Sequence, residues 1–134
     1  MVTMKSLYLN QLRTQATHIK SGQVIITDAP IDNHGRGEAF SPTDLVCAAL
    51  SSCMETLMGI TAQKEQMEMT GLTSEITKVM QSNPRKVAEI CIDFYWPEPK
   101  GSPEFLESLK HAARTCPVAL SLDPNIKQKI SFNF

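Results

Sequence analysis

SPTDLVCAALSSCMETLMGITAQK, residues 41 to 64, is the stretch on which the fold turns. It reads as one long helix whose start is marked three ways. Ser41 is an N-cap residue, because its hydroxyl can accept from a backbone N–H of the first turn. Pro42 takes the first helical position, where a missing N–H does no harm. Asp44 completes the Ser-x-x-Asp form of a capping box. Apolar residues then dominate, from Leu45 through Leu50 to Ile60. At about 3.6 residues per turn, Val46, Leu50, Cys53, Leu57 and Ile60 share one stripe, with Cys53 inside it. Other apolar positions, Cys47 among them, fall off that stripe. Such a helix is expected to run buried through the middle of a fold.

Outward from this helix, the N-terminal side is β-rich. Residues 5 to 15 carry an apolar alternation at Leu7, Leu9 and Leu12, which predicts a strand. Lys20-Ser21-Gly22 is a turn, and Gln23 to Thr27 is a β-branched strand, so the two predict an antiparallel hairpin. Asp28 to Phe40 is a turn-rich loop with Pro30, Asn33, Gly35 and Gly37. Long loops of this kind often carry function, although a plain connection reads equally well.

On the C-terminal side, Ser74 to Met80 alternates apolar and polar residues. After the turn QSNPRK, Val87 to Trp96 answers as its partner strand. Ala88, Ile90, Ile92 and Phe94 are expected on one face, with Glu89, Cys91, Asp93 and Tyr95 on the other. Ser102 and Pro103 cap a second helix with an apolar face of Phe105, Leu106, Leu109, Ala112 and Ala113. Pro117 then starts a short helix from Val118 to Leu122. Lys127 to Phe134 closes the chain as a strand with Ile130, Phe132 and Phe134 on one face. The class is α+β: two hairpins and a last strand around a buried helix, in one domain spanning 1–134.

The totals bound the function. The chain has 134 residues, 13 Lys and Arg, 14 Asp and Glu, and a net charge of −1. A chain of this length can bury a real core, and the near-neutral charge speaks against nucleic acid or an anionic membrane as partner. Glu55 and several hydroxyls interrupt the longest apolar run, so no membrane span is expected. The N-terminus lacks the apolar segment of a secretory signal. A cytoplasmic protein with reduced cysteines is the expectation. Cys47, Cys53, Cys91 and Cys116 form no C-x-x-C, and no Cys/His pair has zinc-finger spacing, so neither a metal nor another cofactor is expected.

The chemistry lies with the cysteines. Cys53 taken alone reads as a small hydrophobe in a packed helix. Cys116 stands just before a proline-initiated helix, where backbone N–H groups and the positive end of the dipole favour thiolate; it also reads as a plain linker residue. Two such thiols can act as a pair, one attacking a peroxide and the other closing the sulfenic acid into a disulfide. Asp44 reads as a helix cap. It lies about 13 Å along the axis from Cys53 at about 1.5 Å per residue, too far for direct contact within the helix. Arg13, Lys20, Arg36 and Glu38 read as surface charges, and Cys47 and Cys91 as packing.

SPTDLVCAALSSCM followed by TCPVALSL resembles the OsmC/Ohr family, whose pattern is a proline-acidic-Leu helix start, a small-residue run ending in Cys, and a later Cys-Pro. The resemblance extends over essentially the whole chain. It implies an intertwined homodimer with active sites at the subunit interface, and reduction of hydroperoxides by two cysteines with no metal or flavin. By motif, Cys53 matches the peroxidatic cysteine and Cys116 the resolving one, with a dithiol such as a lipoyl group as reductant. Two places differ from the organic-hydroperoxide branch. Thr43 stands where that branch has Glu, with Asp44 one residue later. Lys20 stands where it has Arg, with Arg13 and Arg36 as other basic candidates and Glu38 as a further acidic one. The chain thus resembles the broader OsmC-like group. The expected function is a thiol peroxidase of the oxidative stress response. The rival expectation is a non-catalytic, small-ligand-binding dimer whose cysteines line the pocket.

Overall fold

The computed structural model describes residues 1–134. Six strands and three α-helices follow in the order β1 (Met4–Tyr8), β2 (Arg13–His18), β3 (Val24–Asp28), α1 (Pro42–Lys64), β4 (Thr73–Gln81), β5 (Lys86–Tyr95), α2 (Pro103–Arg114), α3 (Pro117–Ser121) and β6 (Lys127–Asn133). They form two compact units, Met1–Val46 and Cys47–Phe134, with the boundary inside α1.

The first unit is an antiparallel meander, β1-β2-β3, rather than the two-stranded hairpin expected. The run read as one strand over 5–15 is broken at Asn10, Gln11 and Leu12, whose φ angles of 68°, 53° and 62° reverse the chain. Asn tolerates that region, but Gln and Leu do so rarely, so composition gave little sign of the turn. A short 3-10 turn at Ile31–Asn33 opens the loop before α1. The loop folds back on β3, with Gly37 N–H on the Ala29 carbonyl at 3.1 Å and Asp28 N–H on the Phe40 carbonyl at 3.1 Å. Gly35 packs so closely on the Ala29 carbonyl that no β-carbon fits there. This unit buries no large apolar side chain. Its buried residues are Thr27, Asp28 and Ser41, while Met4, Leu7, Tyr8, Val24 and Ile25 are exposed. The strand register puts Met4, Tyr8 and Ile25 on one face of the sheet, and Leu7 and Val24 on the other beside Lys5, Arg13, Gln15, Thr17 and Asp28, so exposed apolar side chains stand on both faces.

The capping box closes as its sequence predicts. Ser41 Oγ accepts from Asp44 N–H at 3.0 Å, and Asp44 Oδ2 accepts from Ser41 N–H at 2.9 Å. The buried side of α1 is not the expected stripe, however. Cys47, Leu50, Ser51, Met54, Met58 and Ala62 are buried, Cys53 and Leu57 are half-buried, and Val46 and Ile60 are exposed. A helix apolar nearly all round gives periodicity no contrast from which to choose a face. For the same reason α1 is, by length and composition, long and apolar enough to cross a membrane, contrary to the expectation. One mid-helix carboxylate does not offset so many apolar neighbours. Here Glu55 is satisfied within the second unit by Ser51 and Ser74.

The second unit carries the apolar core. Antiparallel β4-β5 is extended by β6, which pairs parallel to β5. A bulge opposite Val79 and Met80 leaves Ala88 without a register partner. The inward set therefore begins at Val87 instead of Ala88 and continues with Ile90, Ile92, Phe94 and Trp96. These residues meet Leu50, Met54 and Met58 of α1 and Phe105, Leu109 and Ala113 of α2 in one cluster. Phe94 stacks on Phe132 at 5.4 Å, and Trp96 meets Phe134 edge-on at 5.6 Å, which seats the closing strand.

Candidate active site

Two helices set the thiols. Cys53 is half-buried on α1, between the core face and the open face. Cys116 follows the end of α2. Because Pro117 disfavours the helical region for the residue before it, Cys116 is extended, with φ −68° and ψ 144°. That geometry makes it the N-cap of α3, and its Sγ accepts from Ala119 N–H at 3.2 Å. Cys116 is fully buried.

The two cysteines are brought together: the Cys53 side chain is near enough to interact with the Cys116 thiol. Burial pushes the Cys116 thiol above its ordinary value of 9.0; the backbone N–H groups of Ala119 and Val118 oppose this, and the nearby Cys53 reinforces it. This corrects the expectation that the helix start would favour thiolate at Cys116. The N–H groups act in the expected direction, but complete burial outweighs them. The arrangement is a sealed thiol beside a more accessible one. A disulfide between them would need an S–S length of about 2.05 Å.

The remaining sequence candidates lie in the first unit and find partners there. Arg13 Nε and Nη2 hold both carboxylate oxygens of Asp28 at 2.7 and 2.8 Å, and Nη2 also reaches Glu38 Oε2 at 3.3 Å. Arg13 and Asp28 are register partners on β2 and β3, so the sheet itself aligns the fork. The Arg13 guanidinium holds the buried Asp28 carboxyl below its ordinary range, and Arg13 is in turn held firmly charged. Arg13 and Glu38 are thus not simple surface charges but two arms of a network around Asp28, the last residue of β3. Arg36 bonds Gln11. Thr43 Oγ1 lies 3.2 Å from Ser41 Oγ beside the helix cap, and Asp44 serves the cap as expected. Lys20 is exposed in the β2–β3 turn.

A second polar group in the second unit was not anticipated. Glu55 Oε1 accepts from Ser74 Oγ at 2.8 Å and from Ser51 Oγ at 3.1 Å, tying α1 to β4. Ser51 on the buried face of an apolar helix was the available signal.

The OsmC-like protein family model matches residues 35–131, from the loop before α1 through most of β6. The chain belongs to the OsmC-like family. Among solved structures, this OsmC-like chain resembles one from Psychrobacter arcticus described as an osmotic stress induced and detoxification response protein. The two share 44% identity over 99% of this chain and 96% of that one, with a TM-score of 0.94. An organic hydroperoxide resistance protein OsmC from Legionella pneumophila has the same fold at 16% identity and a TM-score of 0.71, covering 100% of this chain and 98% of that one. So does an organic hydroperoxide resistance protein from Vibrio cholerae with captopril in one active site, at 13% identity and a TM-score of 0.70, covering 99% and 92%. No functionally curated protein matches this OsmC-like chain.

Proposed function

We propose that this OsmC-like protein is a cysteine-based peroxidase acting on organic hydroperoxides, with Cys53 as nucleophile and Cys116 as resolving thiol. The observation that carries the reading is that buried Cys116 and half-open Cys53 are near enough to interact. Cys53 as thiolate attacks the terminal peroxide oxygen, the O–O bond breaks, and the alkoxide leaves as alcohol after taking a proton. The resulting Cys53 sulfenic acid is attacked by Cys116, water leaves, and a disulfide forms. An external dithiol such as a lipoyl group then returns both cysteines to thiols by exchange. The cycle uses two electrons from the dithiol and calls for no metal or other cofactor. A cytoplasmic setting, where thiols are kept reduced, suits it.

The working form proposed is a homodimer. A three-stranded sheet that exposes Met4, Tyr8 and Ile25 on one face and has no apolar core of its own is an unstable arrangement in water. A second copy would cover these side chains.

Cys53→Ser is expected to abolish hydroperoxide consumption, measured with an excess of dihydrolipoyl reductant. Cys116→Ser is expected to stop after one turnover with a sulfenic acid that dimedone traps. Wild-type protein that consumes no hydroperoxide with any dithiol would overturn the reading. Because Cys116 carries a raised pKa, the resolution step is expected to accelerate as pH rises toward and past 9.0.

The rival, a ligand-binding dimer with the cysteines lining its pocket, is favoured by Thr43 and Lys20, which stand where the organic-hydroperoxide branch has Glu and Arg, and by the complete burial of Cys116. Thiol counting after one equivalent of hydroperoxide separates the two readings. Loss of two thiols per chain supports the peroxidase, and an unchanged count supports the binder.

A further inference from the structure

α3 is five residues long, and none of its own residues is fully buried. Val118, Ala119 and Leu122 pack partly against the core, while Leu120 is exposed. A single turn with so little burial is marginal by itself, yet it positions Cys116. A polar side chain on the neighbouring strand grips it. Gln128 Nε2 donates to the Ala119 carbonyl at 3.1 Å. Ala119 is also the residue whose N–H lies on Cys116 Sγ at 3.2 Å. Gln128 is paired in register with buried Ile90 and shares the inward side of β6 with Ile130 and Phe132. An amide among these apolar side chains contributes little packing that Leu or Met would not supply; what it adds is the bond to α3.

The geometry points to Gln128 as a positioning residue for the resolving cysteine. It fixes the turn that holds Cys116 Sγ beside Cys53, without touching either sulfur or the peroxide. This rests on the thiol-pair reading above. It places the determinant of disulfide closure on β6, separate from whatever tunes Cys53 for its first attack.

Two variants test it. Gln128→Met keeps the side-chain length and removes the donor. Gln128→Glu removes the donor only while its carboxylate is ionised, and restores an O–H donor when protonated. Single-turnover kinetics with an alkyl hydroperoxide separate Cys53 sulfenic acid formation from its conversion to disulfide. For Gln128→Met, the first step is expected at the wild-type rate and the second slowed about tenfold. For Gln128→Glu, the second step relative to wild type at the same pH is expected to recover as pH falls from 7 to 4.5, while Gln128→Met shows no recovery. Equilibration of the reduced proteins in glutathione redox buffers gives an independent measure that uses no peroxide. There the effective concentration of the Cys53–Cys116 pair is expected to drop about tenfold in Gln128→Met. Wild-type closure rates and effective concentrations in both variants, or a wild type that forms no Cys53–Cys116 disulfide in glutathione, would overturn the inference. A wild type that closes the disulfide in glutathione and is inert to hydroperoxide overturns the peroxidase reading and leaves the role of Gln128 standing.

Discussion

The two compact units of this chain bury opposite kinds of residue. Met1–Val46 buries Thr27, Asp28 and Ser41 and leaves its large apolar side chains exposed. Cys47–Phe134 buries Leu50, Met58, Ile90, Ile92, Phe94 and Leu109 around α1 and β5. The first unit is ordered locally, by hydrogen bonds and the Arg13–Asp28 fork. The second is ordered by close-packed apolar contact, which resists small displacements because every neighbour is in place. A thiol pair whose reaction depends on sulfur-to-sulfur contact is better held by the second kind of order, and both Cys53 and Cys116 belong to that unit. The first unit leaves Met4, Tyr8 and Ile25 exposed on one face of its sheet.

Four changes should break or sharpen this contrast. The largest effect is expected from charging the first unit's open sheet: Met4→Glu with Ile25→Glu should shift the mass seen by light scattering from two chains of 14.9 kDa to one. An unchanged dimer would show that this face is not the one covered. Next, Leu50→Ala in the second unit should lower unfolding free energy by about 2–5 kcal/mol in denaturant titrations, the range for a fully buried leucine. A loss well under 1 kcal/mol would mean that the core is looser than its burial implies.

The third change concerns the polar order of the first unit. Arg13 bonding lowers the Asp28 pKa below its ordinary 3.8. A lowered carboxyl pKa stabilises the folded chain above the unfolded value, and that contribution is lost as pH falls through the folded value. Wild-type stability should therefore decline on acidification below about pH 4. Asp28→Asn should be less stable than wild type at neutral pH and should show a smaller decline in acid, as read by melting temperature across pH. Parallel melting-temperature curves for the two proteins would contradict this. The smallest effect is expected at the helix start: Ser41→Ala removes one arm of the capping box and should cost about 1 kcal/mol. A neutral result there would show that the cap is redundant with packing.

What the sequence made legible follows the same division. The ends of α1 and α2 could be read because caps are written in consecutive residues, Ser41-Pro42 and Ser102-Pro103, and both caps close as expected. The buried face of α1 could not, because Val46 and Ile60 are as apolar as Leu50 and Met58, and the choice among them belongs to β5 and α2. The break between β1 and β2 was hidden because Gln11 and Leu12 carry no turn signal. The parallel pairing of β6 with β5 depends on the path through α2 and α3, which periodicity does not encode. Gln128 was within reach: it precedes Ile130 by two positions and so had to share the face with Ile130, Phe132 and Phe134. Asp28 was too, since it continues the side of β3 that carries Ile26, but its partner Arg13 emerged only with the register. At the thiol pair, motif named both cysteines, yet their proximity and the raised Cys116 pKa depend on burial that no local pattern shows.

The most direct test is peptide mapping of wild-type protein by mass spectrometry after one equivalent of an alkyl hydroperoxide, with thiols blocked at quench. The account predicts one cross-linked peptide joining Cys53 to Cys116 in each chain, with Cys47 and Cys91 recovered as blocked thiols. Recovery of all four cysteines as blocked thiols, or a disulfide that bypasses Cys116, would contradict it.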